Sequence, residues 1–355
     1  MTTYGRLDRL GEELLDRSLE GLFVTTLVNV RYLTGFTGSN GAVYVSAGGH
    51  AVFVTDGRYR DQAAVEVPDL EHVISRDLLG EMARRASGAD LGIESHTLSV
   101  DALARLTEHL PSTRLQSAGR VVEGLRETKD AVEVDALRRA CEISTVALGQ
   151  LLEGPLVGRT EREVARDLEN RMLDLGAEAI AFDTILAAGD NSAIPHHSPT
   201  DRLLVTGDLV KADFGARVDG YHADCTRTFV LGRADDWQRE IHTAVRQSQE
   251  AGVDALRAGS AVADSYGAAT AALETSGWLH AFTTGLGHGV GLEIHEDPFI
   301  GPSQTGKLAS RTVLTMEPGI YVPGRGGVRI EDTVLVNPGA PEVLTTMTKD
   351  LLEIG

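Results

Sequence analysis

The sequence predicts two domains, an α/β domain at residues 1–125 and an α+β domain at residues 126–355. Two observations indicate this organisation. Strand-like and helix-like segments alternate up to about residue 122, which is typical of an α/β layer arrangement. Beyond that point, two helical segments followed by an acidic hairpin occur twice in the same order. A length of 355 residues with 42% hydrophobic residues is sufficient for a core in each domain.

The first domain shows four strand-like segments and two helical ones. The strands read GLFVTTL, GAVYVS, HAVFVT and DLGIES, and the helices read RLDRLGEELLDRSL and SVDALARLTEHL. No group of candidate catalytic residues occurs in this domain. The change of pattern places the domain boundary between Glu123 and Thr128.

The second domain begins with two predicted helices. The apolar stripe of the first helix is formed by Val134, Leu137, Cys141 and Leu148. The second helix begins at a capping box of Thr160 and Glu163 and ends at Gly176. Two further helices are predicted from about Asp236 and about Ser260, so the helical pair occurs again in the second half.

The segment KADFGARVDGYHADCTRT predicts a β-hairpin that carries two acids. The DG dipeptide at 219–220 is a preferred two-residue turn, and it places Asp213 opposite Thr226. It also places Asp224 opposite Gly215, so the two acids are diagonal neighbours on one face, about 7 Å apart at Cβ. A solvated polar face of an acidic protein would show the same pattern, and this segment alone leaves both interpretations open.

The segment VLTMEPGIYVPGRGGVRIEDTVLV predicts a second acidic hairpin. With a loop at 323–325, Glu317 lies directly opposite Glu331, an arrangement that is destabilising unless a divalent cation lies between the carboxylates. Asp213 and Glu317 are separated by 104 residues, and Asp224 and Glu331 by 107. The nearly constant offset predicts a pseudo-duplicated domain whose halves present acid pairs to a shared centre.

Histidines in two loops are candidate partners of these acids. In TTGLGHGVGLEIHEDP no register fits the pattern Gly-x-Gly-x-x-Gly, so a nucleotide-binding loop is a poor interpretation. His288 lies between glycines, where backbone can approach a ligand closely, and His295 follows seven residues later. The loop AAGDNSAIPHHSP contains His196 and His197, for which an ordinary surface position is the alternative.

The charge of the four acids predicts a site for two divalent ions. Four negative charges would be neutralised by two such ions, which in sites of this type lie roughly 3.5 to 4 Å apart. An oxygen-rich set with one imidazole suits Mn, Co or Zn, with Mn as our first choice. Cys141 and Cys225 are too few and too scattered to contribute.

The motifs DFG, DCTRT, GHGVGLEIHE, EPGIY and GVRIEDT resemble those of the pita-bread metallopeptidases, which include aminopeptidase P, prolidase and, more remotely, methionine aminopeptidase. Creatinase shares that fold but lacks the metal ligands. NVRYLTGFTGSNGAVYV and VFVTDGRY are similar to the accessory domain of the proline-specific members. The resemblance therefore implies a creatinase/prolidase-like α/β accessory domain and a pseudo-twofold pita-bread catalytic domain.

The resemblance implies a role for each metal ligand. Asp224 and Glu331 would bridge both metals, Asp213 would chelate one of them, and His288 and Glu317 would complete the other. Glu317 would also take the proton from the bridging water.

It also implies roles for residues around the metals. His295 would contact the scissile peptide, and His196 would stabilise the tetrahedral intermediate. Phe182 would line the proline pocket, with a buried core residue as the alternative. Arg329 would orient the acids, with an ordinary surface arginine as the alternative. His197 matches no role in the family.

The favoured function is an aminopeptidase P, which removes the residue before proline from longer peptides. The alternative is a prolidase, which accepts dipeptides and needs a cation to hold their free carboxylate. Lys307 and Arg311 are the cations nearest after HEDPF, and neither has the expected place of such a clamp. A remote alternative is a non-catalytic peptide-binding protein on the same fold, although such proteins usually lose metal ligands.

Composition excludes several other partners. A net charge of -19 argues against binding nucleic acid, because phosphate binding needs a basic surface. The start MTTYGRLDRLGEELL has no apolar signal core, and no window approaches the roughly 20 apolar residues of a membrane span. We therefore expect a cytoplasmic protein, with which its two cysteines agree. The resemblance implies a homodimer that acts on proline-containing peptides.

Overall fold

A computed structural model of the protein describes residues 3–355, with side chains from residue 5 onward. The chain forms two compact units that meet between Arg126 and Glu127, called here the N-terminal and the C-terminal unit.

The N-terminal unit contains one six-stranded mixed sheet with helices in the connections. Its strands are β1 Gly21–Val24, β2 Gly41–Ser46, β3 Ala51–Thr55, β4 Glu71–Ile74, β5 Asp90–Ile93 and β6 Arg114–Ser117. Its helices are α1 Thr3–Asp16, α2 Leu27–Thr34, α3 Arg60–Glu66, α4 Leu78–Arg85, α5 Val100–His109 and α6 Val121–Glu127, the last of which reaches the boundary. The strand order is β4-β3-β2-β1-β5-β6, in which β2 is antiparallel to β1 and β3 and the other neighbours are parallel.

All four strands and both helices predicted for this unit are present. The sequence analysis did not predict β4 and β6, because they are short edge strands in which no side chain is fully buried and the apolar run of a core strand is lacking. In the core, Phe23 of β1 pairs with Tyr44 of β2, and their ring centroids are 5.4 Å apart. Such cross-strand aromatic contacts stabilise the sheet.

The C-terminal unit has four long helices, and the predicted order of helices and hairpins is observed. The helices are α7 Ala131–Leu152, α8 Glu161–Asp174, α9 Asp236–Asp254 and α10 Val262–Thr275. The capping box of Thr160 and Glu163 starts α8 as predicted, with the Thr160 hydroxyl accepting from the Glu163 N–H at 3.1 Å.

The strands of this unit form four sheets. They are β7 Ala179–Ile180, β8 Ile185–Ala188, β9 Leu209–Phe214, β10 Ala216–Val218, β11 Tyr221–His222, β12 Cys225–Leu231, β13 His288–Gly289, β14 Glu296–Phe299, β15 Val313–Met316, β16 Gly319–Val322, β17 Gly326–Arg329, β18 Asp332–Leu335, β19 Glu342–Val343 and β20 Glu353–Ile354. The two larger sheets have the orders β20-β12-β9-β8 and β14-β13-β15-β18-β19. The smaller sheets are β11-β10-β7 and β16-β17.

Each larger sheet is covered by one helical pair. Leu148 of α7 and Leu168 of α8 pack in one cluster with Phe214 of β9. In the second half, Val253 of α9 and Ala269 of α10 pack in another cluster with Leu314 of β15. Burial of one such leucine side chain contributes about 2 kcal/mol. Between residues 3 and 355 we find no helix with the length and apolar character that crossing a bilayer requires.

Candidate metal centre

The first acidic hairpin has the register predicted from its turn. Asp213 pairs with Thr226, and the two turn residues at 219–220 have φ values of 51° and 83°, as this type of turn requires. A Cβ at Gly215 would lie 1.8 Å from the carbonyl oxygen of Ala223, so only glycine allows the two strands to approach here. This close approach comes directly before the second acid of the hairpin.

The second acidic hairpin departs from the prediction at its two glutamates. The pairs β15–β18 and β16–β17 keep the predicted register, but the ladder is interrupted between them, so Glu317 and Glu331 do not form a regular cross-strand pair. At the interruption, Ile330 donates its N–H to the Pro318 carbonyl at 3.4 Å. Glu331 instead donates its N–H to the Thr226 carbonyl at 3.1 Å, in the other half. Both carboxylates nevertheless line the same cavity, and burial together with repulsion from Glu317 raises the pKa of Glu331.

A cavity of about 120 Å³ lies where the two halves meet, and it brings together residues from both hairpins. Its lining is formed by Phe182, Ile185, His196, Asp213, Asp224, His288, Ile294, His295, Glu317 and Glu331. All five predicted metal ligands are in this set. Asp224, His288 and Glu331 each have one ligand atom within 4.8 Å of those of the other two.

His288 presents Nε2 to the acids. This atom lies 3.6 Å from Asp224 Oδ2 and 3.5 Å from Glu317 Oε1, and Nδ1 lies 3.0 Å from the Gly289 carbonyl oxygen. A bond from Nδ1–H to this carbonyl leaves the lone pair on Nε2. Burial lowers the pKa of His288 to about 4, so the imidazole is neutral, which is the form that binds metal ions.

The glycines on both sides of His288 are required by neighbouring strands. A Cβ at Gly287 would lie 2.1 Å from the Thr315 carbonyl oxygen, and one at Gly289 would lie 2.3 Å from that of Asp297. The alternating glycines therefore allow β13 to approach its neighbours on both sides. This explains the glycine pattern without a bound nucleotide.

Burial disfavours the charged forms of Asp224, Glu317 and Glu331 in the cavity. Burial raises the pKa of Asp224 and Glu331 well above the usual range, and repulsion from neighbouring acids adds to the effect. Burial also raises the pKa of Glu317 to about 7. Oδ1 of Asp213 is buried and has no hydrogen-bond partner among the described residues. Oxygen atoms in this condition fit divalent cations, which would supply both the charge and the missing partner.

Arg329 connects acids from both halves. Its side chain is buried, and one terminal nitrogen donates to Asp213 Oδ2. Nε donates to Thr226 Oγ1 at 3.1 Å, and the other terminal nitrogen donates to the Tyr321 hydroxyl at 2.7 Å. Thr226 Oγ1 in turn donates to Glu331 Oε2 at 2.7 Å. The orientation of two acids is therefore coupled through one guanidinium.

The remaining predicted site residues also line the cavity. The rings of His295 and His288 meet edge to face with centroids 4.4 Å apart. Burial, and then the neighbouring His196, lower the pKa of His295. One part of the lining is apolar and is formed by Phe182, Ile185 and Ile294.

His197, for which the sequence suggested no role, is part of the support of the loop. Its Nε2 lies 2.8 Å from Glu161 Oε2, and both side chains are buried. Glu161 also accepts from Asn191 Nδ2 at 3.0 Å and from the Thr200 hydroxyl at 2.7 Å. The buried carboxylate thus holds the loop on both sides of His196.

The two cations considered as carboxylate clamps lie elsewhere. Arg311 donates from Nε to the Lys129 carbonyl at 2.7 Å, and Lys307 is exposed. Within the part of the chain that the structure describes, no lysine or arginine belongs to the lining of the cavity.

Sequence reasoning missed two further residues that support the site, Thr226 and Lys211. Lys211 is fully buried in β9, where all six residues are buried. The lysine within the predicted strand LVKADF could have indicated a supporting role, because lysine is almost never fully buried without partners. Thr226 gave no signal, because threonine is common in strands.

Comparison with known proteins assigns a family to each part of the chain. Residues 135–338 match the model of metallopeptidase family M24, and residues 6–128 match that of the creatinase/prolidase N-terminal domain. An Xaa-Pro dipeptidase of Pyrococcus furiosus is 35% identical over 360 aligned residues, which cover 98% of this chain and 99% of that protein.

Solved structures are similar over nearly the whole chain. An Xaa-Pro dipeptidase from Bacillus anthracis has a TM-score of 0.95 at 33% identity, covering 99% of this chain and 100% of that one. An X-Pro aminopeptidase from Thermotoga maritima has a TM-score of 0.90 at 30% identity, covering 98% and 99%.

Proposed function

The chain belongs to metallopeptidase family M24, and we propose that it hydrolyses the peptide bond between an N-terminal residue and a following proline. Family membership confirms the predicted resemblance and fold class. The observation that carries the proposal is the convergence of four acids and one neutral imidazole on a cavity with an apolar wall. The proline specificity is supported by the similarity to Xaa-Pro peptidases.

Two divalent metal ions would be held by Asp213, Asp224, His288, Glu317 and Glu331. When bound, such ions act as Lewis acids and lower the pKa of water toward neutrality. Mn is our first candidate, and Co and Zn accept the same ligands. Arg329 would keep Asp213 in its orientation, since its guanidinium contacts that carboxylate directly.

Protein side chains would supply the proton transfer and the substrate contacts. Glu317 would take a proton from the attacking water and pass it to the leaving proline nitrogen. His295 would contact the scissile peptide, and His196 would donate to its carbonyl oxygen as negative charge develops there. Phe182 would receive the proline ring at the apolar part of the lining.

Two substrate classes remain candidates, each with its own support. Acceptance of longer peptides, as by an aminopeptidase P, is supported by the lack of lysine and arginine in the lining among the described residues. Without such a cation, a free dipeptide carboxylate would have no charged partner in the cavity. Restriction to dipeptides is supported by the similarity to two Xaa-Pro dipeptidases. We place the aminopeptidase first.

Hydrolysis of matched peptides tests the proposal. The purified protein is incubated with Mn or with EDTA against an Xaa-Pro dipeptide, an Xaa-Pro-Xaa tripeptide and an Xaa-Ala-Xaa tripeptide, and the released N-terminal residue is measured. We expect Mn-dependent release from the proline tripeptide. Release from the dipeptide alone would identify a dipeptidase. Equal release from the alanine peptide, or no metal-dependent release, would contradict proline specificity or the peptidase itself.

The homodimer and the cytoplasmic location expected from the sequence stay predictions. Sedimentation of the purified protein would test the first, and fractionation of cells that express it would test the second.

A further inference from the structure

Lys211 lies beside the metal centre and uses its amine to hold another part of the chain. It precedes Asp213 by two residues in β9, so both side chains project from the same face of the strand. Its Nζ donates to the carbonyl of Ile194 at 2.6 Å and to that of Pro195 at 3.1 Å. These two carbonyls immediately precede His196 in the chain.

Packing of the core does not by itself require an amine at Lys211. Lys211 has no exposed surface, and burial lowers its pKa to about 6. Burying an amine costs free energy unless hydrogen bonds compensate, and an apolar side chain of similar length would fill the space without that cost. Both the neutral and the charged amine have enough N–H groups to donate to the two carbonyls. A lysine at this position therefore fits a role in holding the loop rather than in filling the core.

The loop that carries His196 is held from two sides. On one side, Glu161 binds His197 and residues before and after it. On the other, Lys211 binds the two carbonyls before His196, and Arg329 also donates to the Pro195 carbonyl at 3.2 Å. His196 itself is exposed to the cavity. Its backbone is therefore fixed by buried charged or polar groups while its ring remains free to meet a substrate.

We propose that Lys211 is a positioning residue for His196, which fixes the peptide bond before that histidine through its two backbone hydrogen bonds. The proposal rests on the proposed function only in the catalytic role assigned to His196. Its structural part, the restraint of the loop, can be measured without metal or substrate.

The change Lys211→Met tests this restraint, because it removes both donors and keeps a long unbranched side chain. The Ile194 carbonyl then loses the amine, and the Pro195 carbonyl keeps Arg329. We expect amide hydrogen exchange at residues 190–198 to become at least about 10-fold faster, because the opening free energy of this loop falls. A matched control is Leu273→Ala, which removes a fully buried side chain of α10 and weakens the fold elsewhere. Unchanged exchange at 190–198 in Lys211→Met would overturn the proposal.

A double-mutant cycle tests the connection to catalysis. We expect Lys211→Met to lower kcat at least about 10-fold while KM changes less, and to have little further effect when His196 is already alanine. A residue that only supports the fold would lower kcat by the same factor in both backgrounds. Additive losses would therefore overturn the positioning role, even with faster loop exchange.

The proposal can still be tested if Lys211→Met does not fold or if the protein proves to lack the proposed activity. If Lys211→Met does not fold, Lys211→Gln removes the amine while keeping a shorter polar group, and the same exchange and cycle measurements apply. If the protein itself does not cleave Xaa-Pro peptides, the proposed function fails, and the exchange experiment still decides whether Lys211 restrains the loop.

Discussion

Thr226 and Glu331 join the two halves of the C-terminal unit through both backbone and side chain. The Thr226 hydroxyl donates to Glu331 Oε2 at 2.7 Å, and the Glu331 N–H donates to the Thr226 carbonyl at 3.1 Å. The same hydroxyl accepts from Arg329, which binds Asp213. One threonine therefore contributes to the orientation of acids from both hairpins.

Replacing Thr226 by valine should weaken metal binding while leaving the strand intact. Valine keeps the shape of the side chain but removes the hydroxyl that orients Glu331 and Arg329. Loss of such a supporting contact typically lowers metal affinity about 10- to 100-fold. Titration calorimetry with Mn measures the change. Thr145→Val is the matched control, because Thr145 is buried in the same unit but its hydroxyl donates to a helix carbonyl. Equal affinity in both variants would contradict this role of Thr226.

The change Asp224→Asn should abolish metal binding and lower kcat/KM by at least about 10³-fold, because an amide is a poor bridging ligand. The metal-free variant should be no less stable than the metal-free parent, since burial and repulsion raise the pKa of Asp224 and disfavour its charge. Metal content by mass spectrometry and the thermal midpoint check both expectations. Asp236→Asn, at an exposed acid, is the control. Full activity in Asp224→Asn would exclude the two-metal assignment.

Added Mn should raise the thermal midpoint more at about pH 8 than at about pH 6. Metal binding requires deprotonated ligands, and the pKa of Glu317 is raised to about 7 while those of Asp224 and Glu331 are raised further. Protons therefore compete with the metal at the lower pH. Saturation at about 100 times Kd would stabilise the folded state by about 2.7 kcal/mol. Scanning calorimetry with Mn and with EDTA at both pH values measures the two shifts, and equal shifts would contradict the proton competition.

The metal-free protein should lose stability in acid through His242. Burial lowers the pKa of this side chain from 6.5 to about 4, and the neighbouring Arg246 contributes. Between these two values the unfolded chain binds a proton that the folded protein does not. The free energy of unfolding therefore falls as pH drops from about 6.5 to about 4, by about 3 kcal/mol in total.

Urea unfolding at about pH 7 and about pH 4.5, in EDTA, measures this loss. The change His242→Gln should reduce the difference in the free energy of unfolding between these two pH values by about 2 kcal/mol, since a pH of about 4.5 lies within the interval over which the stability is lost. The exposed His280 provides the control His280→Gln, which should leave the difference unchanged. The assignment would be wrong if both variants retained the full pH dependence.

Local features of the fold were predictable because their causes lie within a few residues. The turn at 219–220 sets the pairing of Asp213 with Thr226, since side chains alternate and a two-residue turn leaves one register. The helix start at Thr160 follows from its capping box in the same way. The two acidic hairpins and the flanking helices were therefore visible in the sequence.

The spacing of residues in the sequence does not show which distant residues are in contact. For this reason it left alternative roles open for individual side chains. Arg329 could have been a surface residue by sequence, yet it is 2% exposed and bound to Asp213, 116 positions away. The register predicted for the second hairpin holds on both sides of Glu317 and Glu331. The ladder is interrupted at these two residues because Glu331 forms its backbone bond with Thr226 in the other half of the unit.

The sequence by itself determined the two domains and the repeated order of helices and acidic hairpins, because propensity, turn chemistry and side-chain alternation act locally. The resemblance of its motifs to a known family indicated the five candidate ligands. Only the tertiary structure decided how these ligands are oriented and supported. The bonds of Thr226 to Glu331, His197 to Glu161 and Lys211 to the loop before His196 join residues 105, 36 and up to 17 positions apart. Such bonds form only when packing brings distant segments together and excludes the water that would otherwise satisfy these polar groups.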